Sequence, residues 1–415
     1  VKKPKITERP GIYSLTWEDQ AIIIEVVRAR QHNSDGRITG EVAVKAVIEG
    51  KPTLLHQAQF NFSSTTTREK LRKALEGRAN GIDWYGIIEQ LCYYVVEWQR
   101  RGEPVEMIST ADNTYEPPQY LLEPALLEGH PNILYGEGGS GKTTLAELFA
   151  LCILLPEWAN PLGLMPRRST TTPLILDWEG GQDMHGWNLG CMVRGMGLPH
   201  VEMPYRRCHR PLADDIEDIT KAVHEHDAGC IIIDALGQAA GGDLNSTESP
   251  TRFFAALRSL KVSSIIIAHT SKDEQKRKTV YGNVHFTNYA RNVWLVRKDT
   301  QDDPDEIRVG MFHRKYNYTG EHKPLAFEFQ YGHDTITVQR TDIRDSWDIA
   351  VELSTGTRML DLLRDGALKP EQVAKQLDVK PATVRQTCKR LKRRGMVVLL
   401  EDGRYGLPAF VGALS

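Results

Sequence analysis

Between residues 121 and 340, short apolar runs alternate with stretches whose apolar residues recur at helical spacing. The runs at 133–135, 174–177, 230–234, 264–269 and 292–297 are continuous rather than alternating. That is the pattern of strands buried on both faces of a mostly parallel sheet with helices on each side. Runs at 309–315, 325–331 and 335–339 follow with little between them and predict further, more antiparallel strands. Ahead of this region, residues 12–62 alternate apolar and polar positions. They predict a strand at 22–27, a turn at 34–36 and a hairpin partner at 41–47, followed by helices near 67–75 and 84–100. Beyond residue 350, helices at 355–364, 370–377 and 381–394 precede a hairpin formed by 396–400 and 404–407. Pro370 and Pro381 stand where a helix accepts proline, at its first position.

The expected organisation is therefore a small α+β domain over 1–105, an α/β core over 120–345 and a tail domain over 350–415. A polar, proline-bearing linker at 103–120 separates the first two. Three domains suit 415 residues. A formal net charge of -2 rules out a globally basic nucleic-acid binder but leaves room for a local patch. The six cysteines are scattered through apolar runs without a CxxC pair, so buried thiols in a reducing, cytoplasmic compartment are expected rather than disulfides or zinc. No run reaches the length of a membrane span. The chain opens at Val1, as a piece of a longer polypeptide would.

Chemistry concentrates where strands end. Gly136-Glu137-Gly138-Gly139-Ser140-Gly141-Lys142-Thr143 fills every position of the phosphate-binding loop pattern, between a strand and a helix. Its glycines allow the tight turn and aim backbone N–H groups inward at phosphate oxygens, with the helix dipole behind them. Lys142 is expected to neutralise the terminal phosphates of ATP, Thr143 to ligate Mg²⁺, and Thr144 to line the same turn. Asp234 ends the run at 230–234 and is expected to hold Mg²⁺ with Thr143. Asp177-Trp178-Glu179-Gly180-Gly181 ends another strand, taken to lie beside the phosphate-loop strand. There Glu179 is the candidate group for orienting the attacking water, and Asp177 a structural acid or a partner behind it. The polar end of 264–269, His269-Thr270-Ser271-Lys272, fits either a γ-phosphate sensor or a strand that simply exits to solvent. The charged loop at 272–283 fits either polyanion contact or simple solvation.

The ordered set of these motifs resembles the RecA-like hexameric replicative helicases of the plasmid RepA type and their phage and mobile-element relatives. It comprises Asp-Trp-Glu-Gly-Gly, the run from Asp234 to Asn245, His-Thr-Ser-Lys at 269–272, and Tyr281 to Arg297 with its Ala-Arg-Asn-Val-Trp. The resemblance implies a RecA-like ATPase core. In it Lys142, Glu179 and His269 serve catalysis, and Arg291 enters a neighbouring subunit's site as an arginine finger. Lys315, with Asn317, is a further trans-acting or site-lining group. It also implies a homo-oligomeric, hexameric ring.

The tail follows the winged-helix order. Residues 380–394 carry seven basic side chains and no acid. Lys380, Thr383, Arg385, Gln386, Lys389, Arg390 and Arg393 are the candidate DNA contacts, with protein docking, for instance to a replication partner, the other use of such a module. Basic residues of the N-terminal domain, Arg28, Arg30, His32, Arg37, Arg68, Lys70, Arg72 and Lys73, offer a weaker second surface. The leading reading is an ATP-dependent DNA helicase or translocase acting on single- or double-stranded DNA. The alternative is a RecA-like regulatory or loading ATPase whose nucleotide state switches DNA or partner binding by the tail. A small-molecule kinase leaves the tail unexplained.

Overall fold

The computed structural model describes residues 1–9, 12–31, 35–48, 51–101, 105, 107, 117–270, 279–299, 305–318, 320–343 and 353–408. The charged loop expected at 272–283, the linker at 103–120, Ser34 and His32 lie largely or wholly outside them. Two compact units emerge: Val1–Gln119 with Arg210–Gly229 and Arg252–Lys261, and Tyr120–His209 with Cys230–Thr251 and Val262–Ser415.

In the first unit, β1 (Lys5–Arg9), β2 (Ile12–Trp17), β3 (Ile22–Gln31), β4 (Ile38–Ile48) and β5 (Lys51–Asn61) form an antiparallel meander in sequence order. The alternation that predicts strands also sorts the faces: Tyr13, Leu15, Trp17, Ile22, Ile24, Val26, Val42 and Val44 are all buried. Helices α1 (Thr65–Glu76) and α2 (Trp84–Arg100) supply the apolar side that covers them. Each starts at a polar cap: Ser64 Oγ accepts the Thr67 N–H and Asp83 accepts the Gly86 N–H. The sheet is larger than the single expected hairpin. Much of β5 is exposed, so burial imposes no clear period on its sequence.

Four of the basic residues named for this domain pair with neighbouring carboxylates. Arg28 pairs with Glu41 and Asp218, Arg37 with Asp35, Arg68 with Glu89, and Arg72 with Glu69 and Glu76. At those four positions the pairing weakens the field a nucleic-acid surface would use.

The second unit is built on a nine-stranded sheet. After the short β6 (Tyr120–Glu123) and β7 (Leu126–Leu127) come β8 (Pro131–Gly136), α3 (Lys142–Leu154) and β9 (Met165–Pro166). Then follow β10 (Thr172–Asp177), α4 (Gln182–Gly195), β11 (Tyr205–Arg207), α5 (Ile216–Glu225) and β12 (Ala228–Asp234). Next are α6 (Leu236–Ala240), α7 (Glu248–Ser259), β13 (Ser263–His269) and α8 (His285–Tyr289). Of these, α5 and most of α7 fall within the first unit. The sheet closes with β14 (Asn292–Lys298), β15 (Glu306–Tyr316), β16 (Leu325–Tyr331) and β17 (Ile336–Arg340). The strand order is β11-β10-β12-β13-β8-β14-β15-β16-β17. Pairing is parallel at β10/β11, β12/β13, β13/β8 and β8/β14, then antiparallel from β14 to β17. Helix α3 is apolar all round and buried along most of its length, as a helix packed inside this core must be.

The tail helices α9 (Thr355–Leu362), α10 (Pro370–Leu377) and α11 (Pro381–Arg393) enclose their own core of Met359, Leu363, Val373, Leu377, Val384, Cys388, Leu391 and Val397. Strands β18 (Val398–Leu399) and β19 (Tyr405–Gly406) pair antiparallel, and Leu368 adds a bridge to Tyr405. All six cysteines are buried and unbridged. Among the described residues no helix is long and apolar enough to cross a membrane.

Candidate active site

Ligands of open α/β sheets bind beyond the carboxyl ends of the strands. There Gly136, Asp177, Asp234 and His269 end β8, β10, β12 and β13. At the loop following β8, Gly139 and Gly141 adopt the left-handed region (φ 70° and 78°). A Cβ on Gly136 would lie 2.4 Å from the Val296 carbonyl oxygen, so the close approach of β14 requires glycine there. No side chain caps the start of α3, which leaves its first N–H groups to an anion.

Lys142 is only 5% exposed. Its Nζ donates to the carbonyls of Gly136 (3.2 Å) and Glu137 (2.6 Å) and to Ser140 Oγ (3.3 Å). Burial pushes its pKa down to about 8, against the pull of Asp234, Glu179 and Glu137. Thr143 Oγ1 donates to Asp234 Oδ2 at 2.8 Å. Burial also raises the Asp234 carboxyl, and the Thr143 bond and His185 only partly offset this. A buried acid held against a hydroxyl is an all-oxygen donor pair that fits a hard divalent cation such as Mg²⁺.

Glu179 lies on the same side of the site. The sheet corrects one expectation: β10 is not next to β8, since β12 and β13 lie between them. Glu179 reaches the site because the turn after β10 crosses toward β12, where the Trp178 N–H donates to the Asp234 carbonyl (2.6 Å). Its carboxylate accepts from Gln238 Nε2 (2.8 Å) and lies 3.7 Å from His269 Nε2. His269 first, then Gln238 and Lys142, hold Glu179 below the usual carboxylate range against partial burial. The turn thus places the Glu179 carboxylate between Gln238 and His269 and within the field of Lys142. His269 sits opposite Gly136 in the ladder.

Arg291 and Lys315 lie elsewhere. Arg291 precedes β14 and its N–H donates to the Pro131 carbonyl. Asn292 is level with Asn132, and Lys315 with Val293, which is level with Ile133. Both therefore sit near the entry of β8, roughly four residues or ~13 Å before the phosphate loop. Lys315, expected among the site-lining groups, does not line the phosphate loop of its own chain. Its ammonium donates to the carbonyls of Thr287 (3.0 Å), Asn288 (2.6 Å) and Ala290 (2.8 Å), closing the end of α8.

Sequence reasoning missed Gln238, the one polar side chain of α6, which follows Asp234. It also missed a buried pair behind the site. His185 Nδ1 on α4 and Glu147 Oε1 on α3 are 2.7 Å apart, with His185 Nε2 3.8 Å from Asp177 Oδ2. Burial raises the Glu147 pKa. That of His185 rises despite burial, through its bond to Glu147 and the charges of Glu147, Asp177 and Asp234. The only sequence signal was a carboxylate inside an apolar helix, at Lys142 plus five.

In the tail, Val384, Thr387, Cys388 and Leu391 face inward. Lys380, Thr383, Arg385, Gln386, Lys389, Arg390 and Arg393 are all exposed. Arg385 pairs with Glu371 at 2.8 Å.

A family model described as an AAA domain matches residues 100–275. The chain carries a P-loop ATPase domain there. Residues 100–275 take in the phosphate loop, Glu179, Asp234 and His269; Arg291, Lys315 and the tail lie beyond them. Among solved structures, a KaiC-like protein from Pyrococcus horikoshii is similar at 17% identity, covering 52% of this chain and 93% of that one, with a TM-score of 0.36. No curated protein matches the sequence.

Proposed function

We infer that the protein is an ATP-driven DNA helicase or translocase of the hexameric RecA-like class. The observation that supports this reading is the division of the candidate residues between two ends of one sheet. Lys142, Thr143, Asp234, Glu179 and His269 converge at the carboxyl end. The exposed guanidinium of Arg291 projects near the other end, with no side-chain hydrogen bond or carboxylate partner among the described residues. A cation so placed serves the γ-phosphate only across a subunit boundary, so hydrolysis depends on assembly into a ring.

In the complex with ATP, the loop N–H groups and Lys142 take the phosphates. Thr143 and Asp234 would hold Mg²⁺, which would supply charge neutralisation at the phosphate oxygens. Glu179 accepts a proton from the attacking water, and His269 with Gln238 keeps its carboxylate ionised and oriented. The basic face of α11, in a winged-helix domain, contacts DNA.

The test is the steady-state ATP hydrolysis rate with and without single-stranded DNA, with Lys142→Ala as the blank. Strong stimulation that disappears in the blank supports the motor. A low rate indifferent to DNA sinks it and favours a loading or switching ATPase.

A further inference from the structure

The Glu179 carboxylate is carried on a turn followed by two glycines, a segment with little conformational preference of its own. Its backbone is nonetheless held at every peptide. Asp177 Oδ1 accepts both the Glu179 N–H (2.9 Å) and the Gly180 N–H (2.8 Å). Asp177 Oδ2 accepts the Tyr205 hydroxyl (2.7 Å) and Arg207 Nη1 (3.0 Å). The same Arg207 nitrogen donates to the Gly180 carbonyl at 2.6 Å. Arg207 thus spans the turn, touching the acid at its start and the carbonyl beyond Glu179. This is a consequence of register: Arg207 lies directly opposite Asp177 in the β10/β11 ladder.

Asp177 is fully buried, and a buried carboxylate needs compensating donors. Burial raises its pKa, but the bonds from Tyr205, Gly180 and Glu179 and the charge of His185 bring it below the ordinary value.

We propose that Arg207, with Tyr205 and through Asp177, is a positioning residue for Glu179: edge strand β11 sets the aim of the water-polarising carboxylate. This rests on the reading of Glu179 given above. The three act on the turn that carries Glu179 rather than on the reacting atoms. Their effect is to fix the turn so that the carboxylate meets the water without reordering a glycine-rich segment in each cycle. An arginine that merely compensates a buried acid would change stability without depending on the carboxylate of Glu179.

The experiment compares Arg207→Ala, Arg207→Lys, Tyr205→Phe, Glu179→Gln and the double variant Arg207→Ala/Glu179→Gln. ATP turnover and binding of a fluorescent ATP analogue are measured for each. Arg207→Ala should lower kcat about tenfold or more with KM and analogue affinity within about twofold, as removal of a group acting only in the transition state requires. Arg207→Lys, which retains one donor, should recover part of the loss. In the Glu179→Gln background Arg207→Ala should add almost nothing, because the group it aims is gone.

If Glu179→Gln is impaired while Arg207→Ala turns over normally, the clamp is refuted. It is refuted equally if Arg207→Ala costs the same factor with and without Glu179. If Glu179→Gln turns over as the parent does, the assignment of Glu179 itself falls, and the clamp with it. Tyr205→Phe, which keeps the ring, should give the same pattern at smaller amplitude; no change in either it or Arg207→Ala overturns the proposal.

Discussion

Lys142 shows what burial does to a side chain whose task is to carry charge. The phosphate loop surrounds its ammonium with carbonyls and excludes water, which brings its pKa to about 8. Bound phosphates favour the protonated form, so the pKa is higher in the complex than in the free protein. The sign follows. Below about pH 7 the lysine is already charged in both states and affinity is flat. As pH rises through about 8, binding must take up a proton, and affinity falls by up to about tenfold per unit until the complex's own pKa is reached. Titrating a fluorescent nucleotide from about pH 6.5 to about 9.5 reads this directly, with proton uptake above the break checked by calorimetry in two buffers. Lys142→Arg stays charged over the range, so its affinity, though weaker, should show no break near 8. A break shared by both proteins would assign the titration to another group.

At the scale of elements, helical spacing separates a core-packing face of α11 from a basic outer face. Val384, Cys388 and Leu391 recur at i, i+4 and i+7 and fill the tail core, while the basic residues take the outer face. Replacing Lys389, Arg390 and Arg393 together by Ala should leave the core intact. It should reduce the slope of log affinity against log salt by about 0.7 to 0.9 for each DNA phosphate the variant no longer neutralises. Fluorescence anisotropy with a short duplex or single strand across a salt series measures it, and an unchanged slope would remove this face from DNA binding. The same elements show what a sequence can disclose. The parallel strands were legible because burial on both faces makes them short unbroken apolar runs, and the polar groups at Asp177, Asp234 and His269 mark where each run leaves the core. Strand β5 was not legible, because exposure relaxes its alternation. Gln238 and Arg207 were not legible for a different reason. Each touches the Glu179 turn through tertiary register, Arg207 by lying across a parallel ladder from a residue thirty positions earlier, and no local pattern records that.

For the whole molecule, the trans role proposed for Arg291 would leave a single chain catalytically incomplete, since the phosphate site lies at one end of the sheet and Arg291 near the other. Two copies related head to tail would close the deficit, and a heterologous contact of that kind makes a ring when its rotation closes. The dependence is testable without knowing ring size. Arg291→Ala keeps its own phosphate loop and Glu179, whereas Lys142→Ala keeps Arg291, so on this reading each should be inactive alone for a different reason. Mixed in equal amounts and allowed to exchange subunits, they place an intact loop beside an intact arginine at roughly a quarter of random interfaces, so hydrolysis should return to that order of the parent rate. Arg291→Lys, a point charge without the planar fork, should remain poor on its own. If the mixture stays inactive under conditions where subunit exchange is shown by energy transfer between labelled copies, Arg291 does not act across an interface. If Arg291→Ala alone hydrolyses ATP at the parent rate, the exposed guanidinium belongs to some other contact, and the ring loses its catalytic rationale.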